Sequence, residues 1–232
     1  RSPSRGLGDV YKRQAIHGRV CYHPCEVACN RADLDGAVSI HSVERYLGDL
    51  AIEKGWTFTR PTEPSGHRVL VIGAGPAGLS AAYHLAMLGH DVEIHDAGDK
   101  VGGMMRYGIP EYRLPREILD AEVARLTDLG IKIVLNHPVN DLMEEKAKGR
   151  FDAVFVAIGA HLSKRVDIPT VDASRMVDAV SFLHNVAAGE KPLIGRRVAV
   201  YGGGNTAMDA ARVAKRLGAE ESIVVYLSLI HI

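Results

Sequence analysis

No window of this 232-residue sequence approaches the roughly 18 uninterrupted apolar residues that a membrane helix takes, and no basic-then-apolar leader opens it. The expectation is therefore a cytoplasmic protein without a membrane partner. Net charge is also lacking: 28 Lys and Arg face 28 Asp and Glu, which leaves no electrostatic case for a nucleic-acid partner or an anionic membrane surface. Cysteine is scarce. Three residues, an odd number within a nine-residue stretch, do not read as a disulfide framework. What is present, 47% hydrophobic residues with 24% charged, excludes disorder and collagen and leaves room for one large or two modest domains.

The two ends differ from the rest. Residues 1–14 and 228–232 resemble translated sequencing-adapter read-through and are set aside from fold reasoning. The competing reading is a disordered arm and a short strand. Without the first 14 residues, which hold Arg1, Arg5, Lys12 and Arg13 against Asp9 alone, 24 basic and 27 acidic residues remain, net −3. On this reading the chain is a fragment of a longer protein.

Three blocks follow. The first, Ala15 to about Pro64, holds the cysteines and a helix predicted over Ser42–Lys54 from the helical spacing of Val43, Tyr46, Leu47, Leu50 and Ala51. It closes on a connector with two prolines and a glycine. In the second block, His67 to about Pro169, strands are predicted at 68–72, 91–95 and 131–135, and helices at 76–88, 116–129 and 141–147. Asp152–Ile158, almost unbroken in its apolar character, reads as a strand buried on both faces of a parallel sheet. The third block repeats the pattern, with helices at 177–188 and 206–217 and strands at 197–201 and 222–226. Two βαβ starts suggest tandem nucleotide-binding folds.

The first strand runs into Gly73-Ala74-Gly75-Pro76-Ala77-Gly78. In a GxGxxG turn the first glycine makes the bend, the second lets backbone approach a pyrophosphate, and the third lets the helix pack on the strand. The pyrophosphate would rest on free amides at the helix start. Asp96, at the end of the next strand, stands where a carboxylate can accept a hydrogen bond from a ribose hydroxyl. The second motif, Gly202-Gly203-Gly204-Asn205-Thr206-Ala207, carries alanine at the third position, where a methyl still allows close packing. For either motif the plain competitor is a tight turn without a ligand. Two such sites imply that one dinucleotide hands electrons to another, and by analogy the first takes FAD and the second NAD(P)H.

Cys21, Cys25 and Cys29 are spaced C-x3-C-x3-C. Thiolates ligate zinc or iron-sulfur clusters, but three sulfurs with His23 make a poor closed zinc site. Three unligated thiols in a helical lobe remain the alternative. No cysteine lies in the flavin-like block, which argues against a disulfide reductase.

These residues together resemble a known family. The run Gly18–Arg31, the GAGPAGL turn, Val101–Pro115 with its RYGIP-x-x-RLP core, Ala157–Ala160 and GGGNTAMDAAR at Gly202–Arg212 look like the small subunit of glutamate synthase, and the N-terminal half of dihydropyrimidine dehydrogenase is similar. The resemblance implies FAD on the first Rossmann unit, NAD(P)H on the second, and two 4Fe-4S clusters in the N-terminal lobe, with electrons leaving for a partner subunit. By similarity Cys21 and Cys25 would serve one cluster and Cys29 the other, with Glu44 as a non-cysteine ligand or, equally, a solvated helix acid. Gly102, Gly103 and the run from Arg106 to Pro115 would line the flavin, with a rigid surface loop as the competing reading, and Gly159 would be a further cofactor-binding residue. The family's earlier cysteines, the basic residues after Tyr226 and the C-terminal return segment are missing, so neither cluster has a full ligand set. NADH and NADPH are not distinguished. His95 stands where an aromatic or apolar residue is usual, with no function assigned.

The expected class is α/β, with tandem Rossmann-like domains on parallel sheets preceded by a small α-helical cysteine lobe, truncated. The expected boundaries are 15–64 for the lobe, 67–170 for the FAD-binding part and 171–227 for the start of the NAD(P)H-binding domain. The expected function is a fragment of a flavoprotein oxidoreductase, electrons passing from NAD(P)H through FAD to the clusters, with no catalytic acid or base named. The alternative is a non-catalytic nucleotide-binding or scaffold module whose cysteine lobe holds zinc or a partner.

Overall fold

The computed structural model describes residues 14–59, 63–162 and 176–226. The expected boundary at 170/171, nearly all of 1–14 and the whole of 228–232 lie outside the described residues. The N-terminal lobe consists of α1 (Gln14–Val20), the single turn α2 (Pro24–Val27), a 3-10 turn over Asn30–Asp33 and α3 (Ile40–Glu53). α1 and α3 cross closely because Gly18 carries no side chain: a Cβ there would lie 2.4 Å from the Arg45 backbone. Arg19 locks the crossing with a two-pronged bond to Asp49, at 2.7 and 3.1 Å. Ile16, buried on α1, joins the core of the next unit and so anchors the lobe to it.

That unit is built on β1 (Arg68–Ile72), β2 (Asp91–His95), β3 (Lys132–Val134) and β4 (Ala153–Val156), all parallel in the order β3-β2-β1-β4. Parallel neighbours need crossovers. These are α4 (Pro76–Met87) between β1 and β2, α5 (Met104–Tyr107) and α6 (Arg116–Thr127) before β3, and α7 (Leu142–Gly149) before β4. Pro76 opens α4, where its missing N–H costs nothing. Gly89 and Gly130, in left-handed backbone, stop α4 and α6. Asp141 caps α7 by accepting from the amides of Met143 and Glu144. Alternation along β1 splits its side chains: Val71 joins Leu79, Ile94 and Leu119 in the larger core, while Leu70 and Ile72 pack with Phe151 on the other face.

The second unit shows α8 (Ala179–Ala187), β5 (Arg197–Tyr201), α9 (Asn205–Arg216) and β6 (Glu221–Val225), with β5 and β6 parallel. The expected α/β fold with two parallel sheets is observed. One expectation is corrected: β4 is not buried on both faces, since Phe155 is 44% and Val156 49% exposed. It is the edge of its sheet, and among the described residues no strand pairs with its outer side. An apolar run signals that a strand wants cover on both faces, but only a neighbour supplies it.

Candidate functional site

Each Gly-rich turn sits at the C-terminal end of the first strand of its sheet, where the following helix points its free amides outward. In the first, Gly73 has φ +107°, and a Cβ on it would lie 2.3 Å from the Ala157 carbonyl oxygen at the end of β4. Gly78 lies so close under the turn that a Cβ would stand 1.8 Å from the Gly73 carbonyl oxygen. Gly75 is less crowded: the nearest atom to its Cβ position is the Gly103 Cα at 3.9 Å, an ordinary van der Waals contact. Pro76 and Ala77 are exposed. α4 has neither a side-chain cap nor an acid in its first turn, which leaves the helix dipole and the first amides free for an anion.

Asp96 ties this turn together. Its Oδ2 accepts from the Ala74 amide at 2.6 Å and its Oδ1 from the Gly98 amide at 2.7 Å. Each oxygen keeps a further lone pair. The 101–103 turn closes against the motif: the Gly102 amide donates to the Ala74 carbonyl at 2.9 Å, and a Cβ on Gly103 would lie 2.9 Å from the Gly75 Cα. Gly102 and Gly103 have positive φ, +124° and +51°, as does Gly159 beyond β4. Arg106 is buried and turns inward, donating from Nε to the Val101 carbonyl at 2.5 Å and pairing with Asp120.

The second turn repeats the pattern. Gly202 has φ +134°, Ala207 is buried 3.6 Å from where a Gly202 Cβ would lie, and Gly204, Asn205 and Thr206 are exposed at the start of α9. This helix also lacks a side-chain cap and a first-turn acid.

The two turns meet at one cleft of about 290 Å³, lined by Pro76 from the first, Asn205 and Thr206 from the second, and Met104, Ile109 and Arg113 from the segment between β2 and α6. Val20 and Tyr22 of the lobe, the neighbours of Cys21, border it too. Arg116 stiffens the wall by donating to the carbonyls of Met105, Ile109 and Leu114. Burial lowers the affinity of its guanidinium for the proton, and the nearby Arg106 adds to this.

Three further residues stand out at the site: Tyr107 and Tyr112 belong to the run from Arg106 to Pro115 expected to line the flavin, whereas no role was expected of Asp209. Asp209 on α9 is buried, accepts from Arg113 at 2.6 Å and from the Tyr112 hydroxyl at 3.2 Å, and so joins the two units. Burial first, then the Asp209 charge, raises the Tyr112 phenol above its ordinary value. Tyr107 donates to Asp99 at 2.5 Å and stacks on His184 of α8. Burial first, then that hydrogen bond, pushes its phenol up to about 12. An aspartate in the first turns of α9, amid small residues facing the neighbouring unit, was the signal available for Asp209.

The cysteines are on the surface: Cys21 and Cys25 exposed, Cys29 partly covered. Their sulfurs and Glu44 do not gather into a group of three close ligand atoms among the described residues. The Cys21 sulfur accepts from the His23 amide at 3.3 Å. The Cys29 thiol is held below its ordinary value by backbone amides, that of Val38 first and then Arg31. Among the described residues no helix is long and apolar enough to cross a membrane.

Comparison with known proteins agrees with this geometry. Residues 67–230 match the pyridine nucleotide-disulphide oxidoreductase family model. The chain is 40% identical over 91% of its length to an NADP(+)-dependent formate dehydrogenase subunit beta of Moorella thermoacetica, covering 34% of that protein. It is 36% identical over 91% of its length to the glutamate synthase [NADPH] small chain of Escherichia coli K12, covering 48% of it. It thus spans between a third and a half of these relatives. The fold is also that of Mycobacterium tuberculosis FprA, solved in complex with NADPH, with TM-score 0.55 and 23% identity over 65% of this chain and 36% of that one. Both Gly-rich turns, the cleft they share and residues 67–230 lead to one conclusion: this chain belongs to the pyridine nucleotide-disulphide oxidoreductase family.

Proposed function

We propose that this chain is the dinucleotide-binding part of an NAD(P)H-dependent FAD oxidoreductase that delivers electrons to a partner subunit, as in glutamate synthase small-chain-like enzymes. The observation that carries the proposal is the shared cleft: Pro76 and the pair Asn205 and Thr206 lie on its walls, so two dinucleotides on the two helix starts would meet there. Gly73, Gly75, Pro76, Ala77 and Gly78 would cradle the FAD pyrophosphate, with Asp96 accepting from its ribose. Gly102, Gly103 and Gly159 border that space, and Arg106 supports the 101–103 turn from within. Gly202, Gly204, Asn205, Thr206 and Ala207 would hold NAD(P)H in the same way.

The cradle at Gly75 fits a pyrophosphate, since a Cβ there would already touch Gly103 and a larger side chain would fill the space over the backbone. When bound, the two cofactors supply hydride transfer from nicotinamide to flavin. The protein's part is to position them: amides at both helix starts take the phosphates, Arg116 keeps the intervening loop rigid, and Met104 and Ile109 give the cleft an apolar wall that limits water. No side chain is required to move a proton.

The iron-sulfur reading fits less well. A 4Fe-4S cluster takes four thiolates, and this chain has three cysteines whose sulfurs do not converge. Cys21, Cys25 and Cys29, with Glu44, are at most a partial ligand set. Cys21 nevertheless lies between two cleft-lining residues, and three reduced thiols suit the cytoplasm. The residue range matching the family contains no cysteine, so disulphide reduction is not proposed.

The test is FAD binding to the full chain, followed by flavin fluorescence, and to Gly75→Leu. A Cβ on Gly75 makes only an ordinary contact with Gly103, so the variant is expected to keep its fold, which circular dichroism checks, and to lose FAD. Equal flavin binding by both proteins would remove the first site from the proposal. A protein that binds neither FAD nor NADPH would leave the scaffold reading standing.

A further inference from the structure

On the face of the sheet that carries Phe151, three side chains from separate segments converge: His95 at the end of β2, His137 in the turn after β3, and Glu145 on α7. Glu145 Oε1 lies 2.9 Å from His137 Nε2 and 3.2 Å from His95 Nδ1, and the three ligand atoms are all within 4.8 Å of one another. Atoms bound at 2.0–2.1 Å to one tetrahedral ion stand about 3.3 Å apart. The two imidazoles meet edge to face with centroids 4.5 Å apart.

His95 is 5% exposed, and its second ring nitrogen has a partner outside the group. Its Nε2 lies 3.0 Å from Glu93 Oε1, and since a carboxylate only accepts, a neutral ring that donates there from Nε2 presents a lone pair on Nδ1. That Nδ1 is buried and makes no hydrogen bond, although Glu145 Oε1 is near. That lone pair and the Glu145 carboxylate oxygen then face each other at 3.2 Å, an arrangement that a cation between them relieves. A carboxylate holding the far nitrogen of a ligating histidine is the usual support of a zinc site. The turn bearing His137 is fixed as well: the His137 amide donates to the Asp96 carbonyl at 2.8 Å, and Asn136, in left-handed backbone, donates to the Gly98 carbonyl at 2.8 Å. His137 is a third exposed, so one coordination position is open to solvent.

We infer that His95, His137 and Glu145 bind a divalent transition-metal ion of the zinc class. Two imidazoles and one carboxylate suit zinc and its neighbours and disfavour calcium and magnesium, which take oxygen ligands. The ion staples the ends of β2 and β3 to α7 one residue from Asp96, and so fixes the strand end that bears this carboxylate. The site includes none of the cysteines and does not depend on the function proposed above.

The test uses the full chain carrying Cys21→Ser, Cys25→Ser and Cys29→Ser, so that thiolates do not compete, titrated with Co²⁺ and then Zn²⁺. The expected result is stoichiometric binding, visible ligand-field bands of tetrahedral cobalt that zinc displaces, and a higher Tm with zinc. His137→Ala, at a partly exposed position that does not threaten folding, should lose both the bands and the Tm gain. Glu93→Gln should weaken binding about tenfold. If the cysteine-free chain takes up no cobalt, or if His137→Ala binds it equally well, the site does not exist and His95 is instead an imidazolium held between two carboxylates.

Discussion

Arg113, in the loop ahead of α6, reaches across the cleft to Asp209 on α9, Nη1 to Oδ2 at 2.6 Å, and this pair joins the two nucleotide-binding units. The Asp209 side chain is only 6% exposed, and Arg113 and the Tyr112 hydroxyl are its partners there. Removing one partner of a buried pair costs about 3–5 kcal/mol because the other is left without compensation. Arg113 is itself partly exposed, so Arg113→Met should cost about 3 kcal/mol in urea unfolding. The double variant Arg113→Met/Asp209→Leu should recover most of that loss. Equal losses in the single and double variants would show that the pair does not couple.

The glycines of the two turns should separate folding from binding. A Cβ on Gly78 would stand 1.8 Å from the Gly73 carbonyl oxygen, and backbone on both sides gives no slack, so Gly78→Ala should destabilise by on the order of 3 kcal/mol. Gly204 has nothing within 4 Å of its Cβ position and an ordinary φ of −82°. Gly204→Ala should therefore leave the Tm almost unchanged and weaken NADPH binding. Thermal melts with and without NADPH check both statements.

How much of this was legible in the sequence depended on range. β1, β2 and β5 have the predicted bounds because their apolar runs end at glycine turns or at a helix start, which are local signals. The Gly73–Gly78 and Gly202–Ala207 turns were readable for the same reason: each glycine answers to a neighbour a few residues away. β4 misled, because exposure on an edge depends on which strand lies beside it. The Arg113 and Asp209 pair, 96 residues apart, did not announce itself as a pair: an aspartate amid small residues on α9 was its one local trace. Nor did His95: alone before Asp96 it looked inert, and only the sheet brings it to His137 and Glu145.

Cys29 should be unusually ready to ionise. The amides of Val38 and Arg31 stabilise its thiolate, with Glu26 opposing weakly. Its alkylation by iodoacetamide, followed by peptide mass spectrometry across a pH series, should reach half-maximal rate below the pH of an ordinary thiol. Val38→Pro removes the leading amide donor and should move that midpoint up. An unmoved midpoint would mean that the loop does not hold the sulfur as described.

Tyr107 gives the protein an alkaline limit that can be calculated in sign. Its phenol is raised from 10.0 to about 12, by burial and by the bond to Asp99. A group that holds its proton more tightly when folded contributes stability fully present below the unfolded value. That contribution disappears as pH rises through the folded value. Stability should therefore fall between about pH 10 and pH 12, as the unfolded chain loses a proton that the folded chain retains. In Tyr107→Phe this part of the slope should vanish, and the variant should be less stable at pH 8 because Asp99 loses its donor. Spectrophotometric titration of tyrosinate absorbance should show one fewer late-ionising phenol in the variant; an unchanged late step would assign it to another tyrosine and remove Tyr107 from the alkaline transition.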